Sequence, residues 1–231
     1  MQPTAKTRVK ICCIGSLEEA FLAIRHGASA VGLVSAMPSG PGVIDDERIA
    51  SIAARVPPPV ASFLLTSRQD APSIIQQQHQ TGAGTLQLCD RLPEGAHASL
   101  RRALPGVRLV QVIHVSGPES VDEAVAVAPH ADALLLDSGN LQSSVKELGG
   151  TGRTHDWDVS RRIREAVDIP VFLAGGLRAE NVAEAILRVR PFAVDVCTGV
   201  RTGGKLDDEK LSRFFAAVNS SCELTAGPLP P

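Results

Sequence analysis

Tyrosine is absent from this chain of 231 residues and tryptophan occurs once, so no aromatic platform for stacking nucleic-acid bases is evident. An excess of charge of either sign is also lacking. The net charge of −2 offers no broad attraction to nucleic acid or to an anionic membrane. No run is long and apolar enough to span a bilayer. Residues 1–8 are polar and basic, without the apolar stretch of a signal peptide. The five cysteines, Cys12, Cys13, Cys89, Cys197 and Cys222, include no C-x-x-C pair. An odd count without that spacing argues against a disulfide framework or a zinc knuckle, and a reducing cytoplasm is the simplest compartment. The six histidines are scattered, with no metal-ligand spacing on one element, so no metal is expected.

What the chain does have is a hydrophobic content of 44%, enough for a substantial core, in a length that suits one large α/β domain. Short apolar runs alternate with amphipathic segments throughout. Strands are expected at 9–14, 30–34, 60–65, 86–88, 107–115 and 133–136, then around 172–173 and 192–196. Helices are expected at 17–26, 45–56, 71–80, 94–103, 118–127, 159–167, 179–189 and 207–218. Apolar strands that do not alternate are buried on both faces, as in a parallel sheet wrapped by helices. Eight strands, each followed by a helical pattern, point to an α/β fold, a single (β/α)8 barrel of eight parallel strands over 1–219. A flexible tail is expected over 220–231. An open doubly wound sheet is the alternative. No strand carries the charges of a protected edge, and no G-x-G-x-x-G follows the first strand. The stretch 138–155 is a long glycine- and serine-rich connection, and loops of that length are usually functional or mobile.

In a barrel, ligands meet the C-terminal ends of the strands. Two late strands end in small residues: Phe172-Leu173-Ala174-Gly175-Gly176 and Val194-Asp195-Val196-Cys197-Thr198-Gly199. Glycine there lets backbone amides approach a ligand, and a helix N-terminus adds positive potential. The pair suits a phosphate, although each alone could simply shape a turn. In the first strand, alternation puts Lys10 and Cys12 on one face and Ile11 and Cys13 on the other. A lysine turned into the helix layer would be costly, so Lys10 and Cys12 are placed inside the barrel and Cys13 outside, packed as a small apolar residue. The Lys10 charge would then favour a Cys12 thiolate. A buried structural thiol fits Cys12 equally well from spacing alone. Asp137, directly after Leu134-Leu135-Leu136, falls at the barrel mouth. A thiolate base and a carboxylic acid across a bound phosphosugar could shuttle protons. His114 lies in the fifth strand, where it can face the interior.

Several of these segments together resemble the phosphoribosylanthranilate isomerase family. They are Val9-Lys10-Ile11-Cys12, Leu86-Gln87-Leu88, Leu135-Leu136-Asp137, Gly149-Gly150-Thr151-Gly152-Arg153-Thr154-His155-Asp156-Trp157, Leu173-Ala174-Gly175-Gly176-Leu177 and Arg190-Pro191-Phe192-Ala193-Val194-Asp195-Val196, in the family's order from about residue 9 to 218. The resemblance implies a cofactor-free Amadori rearrangement in tryptophan biosynthesis, with Cys12 as general base and Asp137 as general acid. It implies phosphate contacts from backbone at Gly152, Gly175, Gly176, Thr198 and Gly199, with Lys10, Gln87 and Asp195 among the substrate-binding residues. The partner expected is a phosphorylated small molecule, with no nucleic acid and no membrane; oligomeric state is not legible. Four positions depart from the family pattern. Cys13 replaces a glycine, Gly42 stands where the family carries an arginine for the substrate carboxylate, and Cys89-Asp90 replaces His-Gly. Three readings follow: the anthranilate-pathway isomerase with a cation supplied by Arg68, Arg91 or Arg201; an isomerase of another phosphosugar adduct; or a barrel that binds a phosphometabolite without turnover.

Overall fold

A computed structural model describes residues 6–139, 146–149 and 152–225, excluding the side chains of 222–225. Eight parallel strands close into a barrel in sequence order: β1 (Arg8–Ile11), β2 (Ala30–Val34), β3 (Ala61–Thr66), β4 (Thr85–Leu88), β5 (Arg108–His114), β6 (Ala133–Asp137), β7 (Val171–Leu173) and β8 (Ala193–Val196). The helices between and after them are α1 (Leu17–Arg25), α2 (Asp46–Ala53), α3 (Ala71–Thr81), α4 (Ala96–Ala103), α5 (Ser120–Val127), α6 (Trp157–Ala166), α7 (Val182–Val189) and α8 (Asp208–Thr225). The expected single barrel is therefore present and the open sheet is excluded, because β8 pairs with β1 from Arg8↔Ala193 to Ile11↔Val196.

Local chemistry sets the helix starts. Ser16 caps α1 by accepting from the Glu19 amide at 3.3 Å, and Asp45 and Asp70 cap α2 and α3 from the Arg48 and Ser73 amides at 2.7 and 2.9 Å. The core has two layers. Val9, Ile11, Val31, Leu33, Leu134 and Leu136 face the helices, while Ala30, Phe63, Leu65, Val112, Leu135 and Phe172 fill the barrel. This is the period-two alternation of a strand buried on both faces.

Two boundaries differ from expectation. The last helix runs on to Thr225, past the expected end at 218, with Ser221 fully buried on it; the rest of the expected tail, residues 226–231, lies outside the described residues. A small antiparallel hairpin, β9 (Arg201–Thr202) with β10 (Lys205–Leu206), follows β8 and was not legible, because two-residue strands carry no periodicity. Parts of the long 138–155 connection, residues 140–145 and 150–151, also lie outside the described residues. Among the described residues no helix is long and apolar enough to cross a membrane.

Candidate active site

At the C-terminal ends of the strands the barrel opens into a cleft, the place where ligands meet a barrel of this kind. Cys12, Gln87, Asp137, Gly152, Gly175, Gly176, Asp195 and Thr198 all line it. Two expected site residues do not. Lys10 lies beneath the cleft, fully buried, and Gly199 packs against the Leu177 carbonyl, where a side chain would have no room.

Lys10 faces inward, as the alternation predicts. Its ammonium donates to Asp195 Oδ2 at 2.9 Å, across register partners of β1 and β8, and sits 5.3 Å from the centre of the Phe63 ring. Burial by itself would lower the Lys10 pKa; Asp195, Cys12 and Cys13 outweigh it and raise the ammonium above the ordinary lysine range. Burial lifts the Asp195 carboxyl against the pull of Lys10. An uncompensated charge at this depth would be strongly destabilising, so each member requires the other. Gly32 of β2 leaves the room they need: a Cβ there would come within 2.9 Å of Cys12 Sγ and 3.1 Å of Lys10 Nζ.

Cys13 is not where alternation puts it. It belongs to the inner cluster and lines the cleft beside Cys12. The reason is backbone conformation. The Cys12 amide still donates to the Val196 carbonyl and the Ile14 amide to that of Gly32, both at 2.9 Å, but Cys13 between them takes a left-handed φ of 62°. That turn ends the alternation and swings the side chain inward. A non-glycine residue in this region is uncommon and carries strain. Arg201 braces the turn, donating to the Cys13 and Cys12 carbonyls at 2.5 and 3.2 Å and to Glu19 at 2.8 Å.

The two candidate proton-transfer groups are tuned in opposite directions. The Cys13 side chain beside it lowers the Cys12 pKa against the effect of burial, and the Lys10 charge lowers it further, leaving it below an ordinary thiol. Burial raises the Asp137 carboxyl, opposed by the Ser138 amide at 2.7 Å and by His114. Asp137 is no helix cap, because α6 begins only at Trp157. His114 is its register partner on β5, buried, with Nε2 2.9 Å from the Cys89 carbonyl oxygen. Two buried acceptors on the cleft wall, Gln87 Oε1 and Asp195 Oδ1, have no hydrogen-bond partner among the described residues. Buried polar atoms are rarely left so; here they would receive donors from a ligand.

At the far side, Gly175 and Gly176 adopt φ of 84° and 61°, and a Cβ on Gly176 would come within 2.7 Å of the Arg153 backbone. Only glycine permits that approach of the loop after β6 to the end of β7. The three arginines that could have supplied a cation are committed elsewhere. Arg68 bonds the Ser73 carbonyl, Arg91 pairs with Glu123 at 2.7 Å, and Arg201 serves Glu19 and the β1 turn. No lysine or arginine is among the described residues that line the cleft. Among the described residues, no group of three or more His, Cys, Asp or Glu side chains is placed to hold a metal ion.

Taken together, these features define a (β/α)8 barrel with a cleft at its C-terminal mouth that a thiol and a carboxyl line together. A sequence profile of the N-(5'-phosphoribosyl)anthranilate isomerase family matches residues 9–217. The N-(5'-phosphoribosyl)anthranilate isomerase of Methanocella arvoryzae is 36% identical over 209 residues, 90% of this chain and 96% of that protein. Among solved structures, the phosphoribosyl anthranilate isomerase of Thermotoga maritima superposes with a TM-score of 0.79 at 29% identity, covering 93% of this chain and 99% of the other. Another phosphoribosyl anthranilate isomerase, solved in complex with reduced 1-(o-carboxyphenylamino)-1-deoxyribulose 5-phosphate, gives 0.77 at 27% identity with the same coverage. This chain belongs to the phosphoribosylanthranilate isomerase family.

Proposed function

We propose that this protein isomerises N-(5-phosphoribosyl)anthranilate to the corresponding 1-amino-1-deoxyribulose phosphate in the cytoplasmic pathway to tryptophan, with Asp137 as general acid and Cys12 as general base. The observation that carries this reading is the convergence of Cys12 from β1 and Asp137 from β6 on one cleft, with the thiol's pKa lowered and the acid's raised. A neutral carboxyl and a thiolate are the protonation states the reaction needs. Asp137 protonates the ring oxygen, the furanose opens, and the C1 amine becomes a protonated Schiff base. Cys12 takes the proton from C2, giving an enolamine. Proton return to C1 and loss of the C2 hydroxyl proton complete the ketose.

Gly152, Gly175, Gly176 and Thr198 supply the phosphate end, and the orphaned acceptors of Gln87 and Asp195 receive ribose hydroxyls. Lys10 acts from below, as the counter-ion of Asp195 and a stabiliser of the Cys12 thiolate. Gly199 acts as a spacer between the β7 and β8 turns. The aromatic end meets an apolar wall that includes Val34, Met37, Pro41, Leu65 and Leu148.

Complementation of a tryptophan auxotroph lacking this isomerase tests the substrate. Rescue by the wild-type chain, lost in Cys12→Ala and in Asp137→Asn, is the expected result. Failure of the well-expressed wild-type chain to rescue would reject anthranilate as the aglycone. Undiminished turnover in Cys12→Ala would reject the base.

A further inference from the structure

Asp90, just past the end of β4, is a buried carboxyl that the mechanism does not use. Its Oδ1 accepts from the Arg91 amide at 2.8 Å, and Gln111 of β5 fixes the backbone by donating to the Leu88 and Asp90 carbonyls, each at 3.0 Å. Its Oδ2 accepts from the Lys146 ammonium at 2.6 Å, although Lys146 lies 56 residues further on, in the connection after β6. Ser39, in the loop after β2, donates to the Lys146 carbonyl at 2.7 Å. Lys146 is therefore tied at two places, to the β4 end by its side chain and to the β2 loop by its backbone. The residues that follow it are pressed into the mouth. Leu148 is buried in the inner apolar cluster. Gly149, at φ 122°, lies so close over Asp137 that a side chain there would collide with Oδ2.

We infer that Asp90 and Lys146 are positioning residues for the reaction: their ion pair straps 146–149 across the mouth, and Gly149 thereby keeps water from the Asp137 carboxyl. The inference rests on the assignment of Asp137 as the general acid. The Asp90 side chain is 6% exposed and that of Lys146 43%, so water competes for the ammonium but hardly for the carboxylate. A charge-assisted bond of this kind outlasts a fully exposed pair. Withdrawing water from a carboxyl disfavours its charged form, which cannot donate a proton. The other groups around Asp137 come from elsewhere. His114 of β5, Lys10 of β1 and the Ser138 amide favour its charged form, Asp195 of β8 opposes it, and the Cys89 thiol after β4 feels its charge. On the strap itself, Glu147 pairs with Arg153. Substituting Asp90 and Lys146 leaves all of these in place, so the comparison below reads the strap alone.

The test is the pH titration of the Asp137 side chain by NMR in substrate-free full-length protein, isotopically labelled at aspartate, with the signal assigned by its absence in Asp137→Asn. The alkaline limb of kcat for phosphoribosylanthranilate is followed alongside. The variant is Asp90→Asn combined with Lys146→Met, which deletes both charges together and leaves the net field at Asp137 nearly as it was. Asparagine keeps an acceptor for the Arg91 amide and residue 146 is part exposed, so the barrel still forms. Full burial shifts a carboxyl by up to about 3–5 units, so partial readmission of water lowers Asp137 by about one unit. The titration and the kcat limb then both move down by about one pH unit, a roughly tenfold loss of rate above the limb with the rate below it kept. Lys146→Arg, which retains the charge and its donors, keeps both near the wild-type position. An Asp137 titration that stays in place in the double variant overturns the inference, as does one that moves equally in Lys146→Arg. A titration that moves while the kcat limb does not upholds the strap and removes Asp137 from the role of acid.

Discussion

Gly42 and Cys13 occupy one space, and a double-mutant cycle can measure it. The minimal perturbation is Gly42→Ala. The native φ of +79° costs an L-residue about 1–2 kcal/mol. The new methyl group also meets Cys13 at 2.5 Å from Cβ, 3.0 Å from the α-carbon and 3.2 Å from the sulfur, and overpacking of this kind costs about 1–3 kcal/mol. The expected loss is about 2–5 kcal/mol. In a Cys13→Gly background the clashes with Cβ and sulfur vanish, and only the 3.0 Å approach to the backbone of residue 13 and the strain at residue 42 remain. There the same substitution costs about 1–2 kcal/mol, leaving a coupling of roughly 1–3 kcal/mol between the sites. Urea unfolding of the four proteins reads this directly: with a slope of about 2 kcal/mol per molar, Gly42→Ala shifts the midpoint down by about 1–2.5 M in the parent and by about 0.5–1 M in the Cys13→Gly background. Costs that add to within about 0.5 kcal/mol would refute the shared space.

Lys10→Met leaves Asp195 buried and unpaired, so it destabilises by about 3–5 kcal/mol in denaturant melts, and adding Asp195→Leu recovers most of that loss. Asp137→Asn keeps the fold but removes the proton donor, lowering kcat by about 100- to 10,000-fold and abolishing the alkaline limb of kcat against pH; an alkaline limb that persists would count against Asp137 as the acid. Gly32→Ala pushes a methyl group onto Cys12 Sγ and Lys10 Nζ, so kcat falls while KM for the phosphorylated substrate changes little, as steady-state kinetics would show. His155, largely buried with Nε2 2.7 Å from Ser160 Oγ, has its pKa lowered by burial to about 4 against the opposing pull of Asp156. The unfolded chain thus binds a proton more readily than the folded one between pH 6.5 and 4. Its contribution is intact above pH 6.5 and is lost as pH falls toward 4, a drop of roughly 2–3 kcal/mol that His155→Gln removes from the stability–pH curve.

The order and type of the barrel elements, the inward face of Lys10 and Cys12, and the rim positions of Asp137 and the Gly175-Gly176 turn were all legible in the residues themselves. Apolar runs that do not alternate specify strands buried on both sides, and the chain direction of a parallel barrel sends every strand's C-terminal end to the same rim. Local pattern therefore carried over to a shared site without any long-range information. Three features needed the folded chain. The pairing of Lys10 with Asp195 joins residues at opposite ends of the barrel sequence, brought together only when β8 closes on β1. The commitment of Arg68, Arg91 and Arg201 to partners away from the cleft depends on which helices and turns pack beside them. The inward turn of Cys13 depends on a backbone angle that cysteine does not favour, imposed by Arg201 from beyond β8 and permitted by the missing side chain of Gly42. Alternation is a property of regular strands; where tertiary contacts force one residue out of the β region, the direction of its side chain belongs to the whole fold.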